Sequence, residues 1–198
     1  MILPLDEKYF KEISIIHYDT FRGDFQVLLG KRFLEKLYGR YRASEYGTGY
    51  VFMDADKVVG FILAAYDIGR FEQEVILKDG MSLFFIALGR ILLCPLRIPS
   101  LSRQFFLNLN LKKIESKAEL VTIAVDNAYR NKGIGQLLFR ALVEDFRKKG
   151  IVSFKLTTDA KNVAASRFYK KLGFTAARSF KRFGTKQNIY AYFLTLPA

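Results

Sequence analysis

The segment Val125–Leu138 constrains the fold of this chain more than any other part of the sequence. It joins a short apolar run, Glu119–Val125, to a stretch with helical apolar spacing, Ile134–Lys149, through the turn Arg130-Asn131-Lys132-Gly133-Ile134-Gly135. A second apolar run, Val152–Thr157, follows the helical stretch. Strand, helix and strand in this order predict a parallel strand pair with a right-handed crossover.

The turn itself predicts an anion site. A helix N-terminus presents unpaired N–H groups and a partial positive charge, and Gly133 and Gly135 let a ligand approach the backbone. With Arg130 and Lys132, these features suit a pyrophosphate. A P-loop is excluded because no Lys-Ser/Thr pair follows the glycines. A dinucleotide fold is disfavoured because Leu138 replaces the third glycine. A tight connection with solvated charges is the alternative interpretation.

The remaining chain alternates between helical and strand-like patterns. Short strands in hairpins beside the parallel pair predict a mixed sheet, and Gly60 within one strand indicates a close backbone approach. The Gly47-Thr48-Gly49 run is expected to end the first helical part. The predicted helices are Asp6–Thr20, Phe25–Tyr41 and Lys161–Leu172, and the predicted strands are Tyr50–Met53, Val58–Tyr66, Phe174–Phe180 and Ile189–Leu196.

Residues 67–117 are interpreted as an insertion of about two helices. The apolar run Met81–Leu93 is followed by Pro95, Pro99 and several cations. The run is too short to span a bilayer, and extending it adds Arg90, Arg97 and prolines. A cap over the acceptor site or an added core layer is the favoured interpretation. A homodimer surface and peripheral contact with anionic lipid are the alternatives.

Composition limits the classes of protein. The chain has 198 residues, a net charge of +13 and one cysteine, Cys94, which excludes an intrachain disulfide and is expected to be a buried structural thiol. No signal-peptide core is visible at the start, so a cytoplasmic protein is expected, with an inner-membrane face as a minor alternative. The charge attracts polyanions. Because the cations are spread along the chain, no nucleic-acid partner is expected.

Two blocks together resemble the GNAT superfamily of acyl-CoA N-acyltransferases. The first is Arg130-x-x-Gly133-x-Gly135 after its strand, and the second is Asn162–Phe174. The clear resemblance covers roughly residues 118–196, with a weaker match at 48–66. It implies one α/β domain over 1–198, interrupted by the insertion. The implied fold is a mixed, mostly antiparallel sheet with a central parallel pair splayed around the CoA site and helices on both faces.

The resemblance also implies an acetyl-CoA site and no metal. Backbone N–H groups of the turn would hold the pyrophosphate, the edge of the preceding strand would bind the pantetheine arm, and Asn162 would contact CoA through its amide. The implied CoA-binding residues are Ile123, Ala124, Val125, Arg130, Asn131, Lys132, Gly133, Ile134, Gly135, Gln136, Asn162 and Tyr169.

Two residues are implied to be catalytic. Tyr169 would protonate the departing CoA thiolate, with core packing beside Phe168 as the alternative. Glu119 would be the general base, directly or through water, with a solvated strand-end carboxylate as an equal alternative. Asp126 is the second choice of base, although a turn-forming aspartate is favoured there. His17, the chain's only histidine, either assists at the acceptor site or, as favoured, lies on a helix face.

The resemblance implies an N-acetyltransferase that acts by direct attack of a primary amine in a ternary complex. Its acceptor is not specified by the sequence. A sugar amine or another bulky small molecule is one hypothesis, and a protein amine is another. A non-catalytic acyl-CoA-binding or regulatory module is the alternative function.

Overall fold

The computed structural model describes residues 1–93, 116–182 and 185–194 of the chain. Two 3-10 turns, Glu7–Tyr9 and Asn127–Tyr129, accompany the regular elements. The helices are α1 Phe10–Thr20, α2 Phe25–Leu28, α3 Lys31–Ala43, α4 Ile68–Leu93, α5 Ile134–Lys148 and α6 Val163–Lys171. The strands are β1 Ile2–Pro4, β2 Gly47–Asp54, β3 Lys57–Ala65, β4 Glu119–Val125, β5 Ser153–Asp159, β6 Thr175–Arg182 and β7 Thr185–Phe193.

The described strands form one seven-stranded sheet in the order β1-β2-β3-β4-β5-β7-β6. Only β4 and β5 run parallel, and every other neighbouring pair is antiparallel. Helix α5 connects the parallel pair, as the strand–helix–strand pattern predicts. The predicted mixed α/β fold is therefore confirmed.

Strand β3 is the centre of the core because both of its faces are covered. Phe61 and Leu63 lie in a cluster with the side chains of α1 and α3, whereas Ile62 and Ala64 lie in a second cluster with α5. All residues from Val58 to Ala65 are buried. A methyl group on Gly60 would lie 3.2 Å from both the Ala124 carbonyl oxygen and Ile134 Cγ2, so the predicted close approach is confirmed.

Two local predictions were wrong, and one strand was missed. The predicted helix at Phe25–Tyr41 is split into α2 and α3 at Gly30, whose φ of +94° is left-handed. The Gly47–Gly49 run does not end a helix but begins β2, where a methyl group on Gly49 would lie 2.9 Å from Leu63 Cδ2. Strand β1 was not predicted at all, since three residues carry too little periodicity.

Helix α4 begins the predicted insertion and is fixed to α3 by buried charges. Asp79 is 4% exposed and accepts a 2.6 Å hydrogen bond from Arg40 Nε, with Lys36 Nζ at 3.2 Å. The predicted proline break and second helix, with Cys94, lie outside the described residues. No helix in the described ranges is long and apolar enough to cross a membrane.

His17 is part of the core instead of lying on an open helix face. It is 3% exposed, and its Nδ1 shares a 2.8 Å hydrogen bond with the Tyr38 hydroxyl. Its ring packs against Phe21 and Phe61, with centroid distances of 5.0 and 5.7 Å. Burial lowers the pKa of His17 to about 4, because the charged imidazolium is poorly solvated there.

This buried imidazole predicts that the protein loses stability in mild acid. In the unfolded chain His17 titrates near its ordinary pKa of 6.5, whereas in the folded chain it titrates near 4. Between these values the unfolded state binds a proton that the folded state does not. Lowering the pH from about 7 to about 5 should therefore reduce the free energy of unfolding by about 2 kcal/mol. Urea denaturation at both pH values measures the change.

His17→Gln is the control, because it removes the only histidine of the chain. The variant is expected to be less stable at neutral pH but to lose most of the pH dependence over this window. An equal loss of stability in the variant and the parent protein would show that another group is responsible.

Candidate active site

A gap between β4 and β5 divides the sheet. The two strands share one register pair, Glu119 with Lys155, supported by a 3.1 Å hydrogen bond from the Lys155 N–H to the Ala118 carbonyl. Beyond that pair, β4 stays paired with β3 as far as Val125, and β5 stays paired with β7 as far as Asp159. The strands therefore separate towards their carboxyl ends, as the resemblance implies.

The gap exposes the free edge of β4. The Asp126 N–H donates to the carbonyl of Val59, in the neighbouring strand β3, at 2.9 Å. Because backbone groups alternate sides along an antiparallel ladder, Ala124 also faces β3, whereas Ile123 and Val125 present their N–H and C=O groups to the gap. Of the three edge residues predicted to bind pantetheine, two have this orientation.

An irregularity in β4 lies just inside the gap. Leu63 pairs with Thr122 and Ala64 pairs with Leu120, so Val121 has no partner on β3. Leu120 packs on the α5 side of the sheet, whereas Val121 packs on the α1 side together with Ala124. A bulge of this kind turns the strand and redirects its backbone groups. No signal in the sequence indicated it.

The turn after β4 is built by side chains that fold back on the backbone. Asp126 accepts a 3.0 Å hydrogen bond from the Ala128 N–H and another from Lys57 Nζ, also at 3.0 Å. Arg130 Nε donates to the Val125 carbonyl at 3.3 Å. Asn131 and Gly133 have φ values of +62° and +79°. These left-handed residues bend the chain sharply enough to begin α5 at once.

The N-terminus of α5 leaves four backbone donors for a ligand. The N–H groups of Gln136 and Leu137 both donate to the Gly133 carbonyl, at 3.0 and 3.1 Å. Within the described residues, the N–H groups of residues 132 to 135 have no protein acceptor, and no side chain caps the helix. Among the residues predicted to bind the pyrophosphate, Gln136 thus has its N–H engaged within the helix, whereas residues 132 to 135 do not.

The two glycines of the turn have different roles. Gly133 needs its left-handed φ, and nothing lies within 4 Å of a methyl group placed there. Gly135 has no such φ, but a methyl group on it would lie 3.0 Å from Phe168 Cζ. The absence of a side chain at Gly135 thus lets α6 pack against the first turn of α5. The sequence had assigned both glycines to the approach of a ligand.

Cations surround this turn. Lys132 and Lys57 lie over the Tyr129 ring, with Nζ to centroid distances of 4.8 and 5.5 Å. Lys57 comes from the β2–β3 turn, and the sequence did not predict its presence here. Its hydrogen bond holds the pKa of Asp126 below the usual range. Asp126 is consequently ionised and engaged, which suits a turn former better than a base.

Helix α6 brings its polar residues to one side. Asn162, Ser166 and Tyr169 are spaced by four and three residues and share a face. The Asn162 Oδ1 accepts a 3.0 Å hydrogen bond from the Ala165 N–H, so only its amide NH₂ group is left for a ligand. The Ser166 hydroxyl is buried with no hydrogen-bond partner among the described residues. An orphaned buried hydroxyl is unusual in a folded protein, where most buried polar atoms have a hydrogen-bond partner.

Tyr169 lies in an aromatic cluster. Its ring contacts those of Phe168, Phe174 and Tyr190, with centroid distances of 5.6, 5.7 and 6.3 Å. Burial raises the pKa of its hydroxyl to about 12. The hydroxyl is therefore protonated at neutral pH and able to donate a hydrogen bond.

Glu119 stands at the closed end of the gap. Its Oε2 lies 3.8 Å from Lys155 Nζ, and both side chains are largely buried. Burial first, then the charges of Glu119 and Glu72, raise the pKa of the Tyr41 hydroxyl on α3. The Glu119 carboxylate therefore lies on the α3 side of the sheet, whereas the Tyr169 ring packs with the core on the α5 side.

Two further carboxylates, Asp159 and Asp24, lie near the open end of the gap. Asp159 ends β5 and accepts a 2.8 Å hydrogen bond from the Lys161 N–H. Asp24, in the α1–α2 connection, is close enough that the charge of Asp159 adds to desolvation in raising the pKa of Asp24. His17 is locked in the core and does not join these groups. In the described part of the chain, no cluster of His, Cys, Asp and Glu could hold a metal ion.

The contact between Gly135 and Phe168 predicts the effect of adding a methyl group. Gly135→Ala should lower the free energy of unfolding by about 1–2 kcal/mol, because Phe168 must move to make room. Urea denaturation measures it, and adding Phe168→Leu should restore part of the loss. Gly89→Ala is the matched control, since nothing lies within 4 Å of its added methyl group. Unchanged stability in Gly135→Ala would contradict the packing role.

The fold is similar to that of solved acetyltransferases. The crystal structure of the ribosomal-protein-S18-alanine N-acetyltransferase from Escherichia coli has a TM-score of 0.62 and 16% identity, covering 100% of this chain and 96% of that one. Ard1 from Thermoplasma volcanium has a TM-score of 0.63 and 17% identity, covering 98% and 97%. Identities this low carry a likeness of fold alone.

Curated relatives share shorter stretches of sequence. The [Ribosomal protein bS18]-alanine N-acetyltransferase of Escherichia coli (strain K12) is 38% identical over 61 residues, 31% of this chain and 41% of that protein. The N-alpha-acetyltransferase RimI of Mycobacterium tuberculosis is 39% identical over 72 residues, 36% of this chain and 40% of that protein. The chain thus spans about two fifths of the length of the curated relatives it matches.

A far longer match comes from a family model, which spans residues 12–174 and includes the strand β4, the glycine turn and helix α6. Together with the sheet that splits at β4 and β5, this match shows that the chain belongs to the acetyltransferase (GNAT) family.

Proposed function

We propose that this protein is an N-acetyltransferase that moves an acetyl group from acetyl-CoA to a primary amine by direct attack in a ternary complex. The observation that carries the proposal is the gap between β4 and β5, with four N–H groups that have no protein acceptor in the described residues at its open end. Its catalytic domain would be the whole chain, with residues 67–117 as an insertion. A cytoplasmic location stays a prediction.

The proposed donor fits the free groups of the site. The four N–H groups of residues 132 to 135, with Arg130 and Lys132, would hold the pyrophosphate of acetyl-CoA. The pantetheine amides would pair with the exposed backbone of Ile123 and Val125, much as a strand pairs with a sheet edge. The unpartnered Ser166 hydroxyl and the Asn162 NH₂ group supply further hydrogen bonds on the α6 side.

The proposed reaction passes through the gap. The amine nitrogen attacks the thioester carbonyl, so a C–N bond forms as the C–S bond breaks. The amine gives up a proton to a base, and the CoA thiolate takes one from the Tyr169 hydroxyl. Because Tyr169 packs with the α5 side and Glu119 acts on the α3 side, the thiolate would leave on one side of the sheet and the amine would enter from the other.

Two carboxylates compete for the role of base. Glu119 is the first choice because it lies in the strand that borders the gap, although its carboxylate also pairs with Lys155 Nζ at 3.8 Å. Asp24 is the second, because its raised pKa makes it a stronger base than an ordinary aspartate. Asp126 is a poor candidate, since its carboxylate is held by Lys57 and the Ala128 N–H.

For the acceptor, we infer the amine at the N-terminus of a protein. The support comes from the printed names of the similar curated relatives, which are protein N-acetyltransferases. The sugar amine considered from the sequence has no comparable support. Since this chain carries a net charge of +13, acceptors with acidic residues near their amine should bind more tightly than basic ones.

The catalytic roles predict how conservative variants behave. Tyr169→Phe should lower kcat about 100-fold, because the thiolate loses its proton donor, and should leave the affinity for acetyl-CoA nearly unchanged. Glu119→Gln should also lower kcat and remove the acidic limb of the pH–rate profile. Steady-state release of CoA thiol gives kcat, and calorimetry with acetyl-CoA gives the affinity.

Tyr192→Phe is the matched control, since Tyr192 belongs to the same aromatic cluster on the β7 side. It is expected to keep full kcat. An unaltered kcat in Tyr169→Phe would rule out its acid role. An unaltered pH profile in Glu119→Gln, with the limb lost in Asp24→Asn, would transfer the role of base to Asp24.

A panel of amines tests the proposed acceptor. Peptides with a free N-terminal alanine should release thiol from acetyl-CoA, acidic peptides faster than basic ones, whereas the same peptides with a blocked N-terminus should not. Glucosamine is included as the sugar amine. Turnover of glucosamine alone would overturn the protein acceptor but keep the acetyltransferase. Tight binding of acetyl-CoA with no turnover of any amine would favour the non-catalytic module.

A further inference from the structure

Lys57 begins β3, but its side chain contacts the connection between β4 and α5. Because β3 and β4 are antiparallel, the start of β3 lies beside the end of β4. The Lys57 Nζ donates a 3.0 Å hydrogen bond to Asp126 Oδ2 and lies 5.5 Å from the centroid of the Tyr129 ring. Lys57 thus contacts both ends of the short turn that follows β4. We call residues 126–135 the β4–α5 turn.

The β2–β3 hairpin that carries Lys57 is anchored on both sides. The N–H of the next residue, Val58, donates a 2.8 Å hydrogen bond to Glu12 Oε2 of α1, and the Val58 side chain is buried. On the other side, the Asp126 N–H donates to the Val59 carbonyl at 2.9 Å. The backbone at Lys57 is therefore fixed relative to Asp126, so their ion pair ties the β4–α5 turn to the core of the sheet.

The charge of Lys57 balances the one carboxylate in the sequence of the β4–α5 turn. Asp126 Oδ1 accepts the Ala128 N–H at 3.0 Å and Oδ2 accepts from Lys57, so both oxygens are engaged. Without Lys57, this carboxylate would repel the phosphates of a ligand bound at the turn. It would also attract Arg130, whose charge already acts on it. The pair with Lys57 prevents both effects.

We propose that Lys57 is a positioning residue for the acyl donor. By pairing with Asp126, it lets the β4–α5 turn present its cations and the N–H groups of residues 132 to 135 to the phosphates of acetyl-CoA, with no unpaired carboxylate beside them. Lys57 acts through Asp126 and not by contact with the ligand. The inference rests on the proposed function, because its ligand is the donor proposed there.

Calorimetry with acetyl-CoA tests this role on the full chain. Lys57→Met should weaken binding about fivefold at low ionic strength and less in high salt, because exposed ion pairs are modest in strength and screened. Lys57→Arg should restore most of the affinity, since a guanidinium also pairs with a carboxylate. Lys8→Met is the matched control. Lys8 Nζ likewise lies over a ring, 5.0 Å from the Tyr9 centroid, but outside the β4–α5 turn, and its loss should leave the affinity unchanged.

A double-mutant cycle with Asp126→Asn separates positioning from direct contact with the ligand. Asparagine keeps an oxygen for the Ala128 N–H but carries no charge. In this background Lys57→Met should weaken binding less than about twofold, because Lys57 has lost the charge on which it acts. An undiminished loss in this background would show that Lys57 contacts the phosphates directly and would overturn the positioning role.

Acetyl-pantetheine, which has no phosphate, separates the positioning role from a general loss of structure. Lys57→Met should leave kcat/KM for this donor unchanged, and an equal loss with both donors would overturn the inference. Equal binding of acetyl-CoA by Lys57→Met and the parent would overturn the inference alone. Absence of acetyl-CoA binding by the parent would instead overturn the proposed function, and this inference with it.

Discussion

Strands β4 and β5 pair over a very short length, and the candidate site depends on the gap that this short pairing leaves between them. One register pair, Glu119 with Lys155, joins the two halves of the sheet, while β4 stays paired with β3 as far as Val125 and β5 stays paired with β7 as far as Asp159. A sheet that paired fully would leave no free backbone on β4. Because the strands part, the groups of Ile123 and Val125 are open to a ligand. The crossover helix α5 then starts above the open end.

Helix α6 can pack closely against α5 at the open end of the gap because Gly135 has no side chain. Gly135 lets the Phe168 ring lie against the first turn of α5, which brings α6 next to the turn at residues 130–135. The turn itself is held by Asp126, Lys57 and Arg130, each of which bonds backbone or a charged partner. The four N–H groups of residues 132 to 135 have no protein acceptor among the described residues and remain for the proposed pyrophosphate.

Helix α4 shows how buried charge determines a surface. Its carboxylates Glu74 and Asp79 pair with Arg40 of α3, and all three side chains are largely buried. Because breaking a buried ion pair is costly, these contacts fix the rotation of the helix. The same rotation leaves aromatic and aliphatic side chains outside, in a protein with a large positive charge.

Local patterns were sufficient for the elements whose signals are continuous in the chain. Glu119–Val125 is a strand at the predicted bounds, and α5 and α6 begin and end close to their glycine and asparagine signals. Local patterns were insufficient where contacts between residues far apart in the chain determine the secondary structure. Gly30 interrupts a helical spacing that continues on both sides, and Gly49 lies in a strand because Leu63 packs over it.

The sequence by itself therefore determined the family, the strand–turn–helix that presents N–H groups, and the block from Asn162 to Phe174. Only the tertiary structure decided that Val121 is left without a partner on β3, that Lys57 joins the turn, that His17 is buried, and that Gly135 serves packing. The physical reason is the range of the interactions. Turns, caps and periodicity act between neighbours in the chain, whereas burial, ion pairing and close approach join residues that are far apart in it.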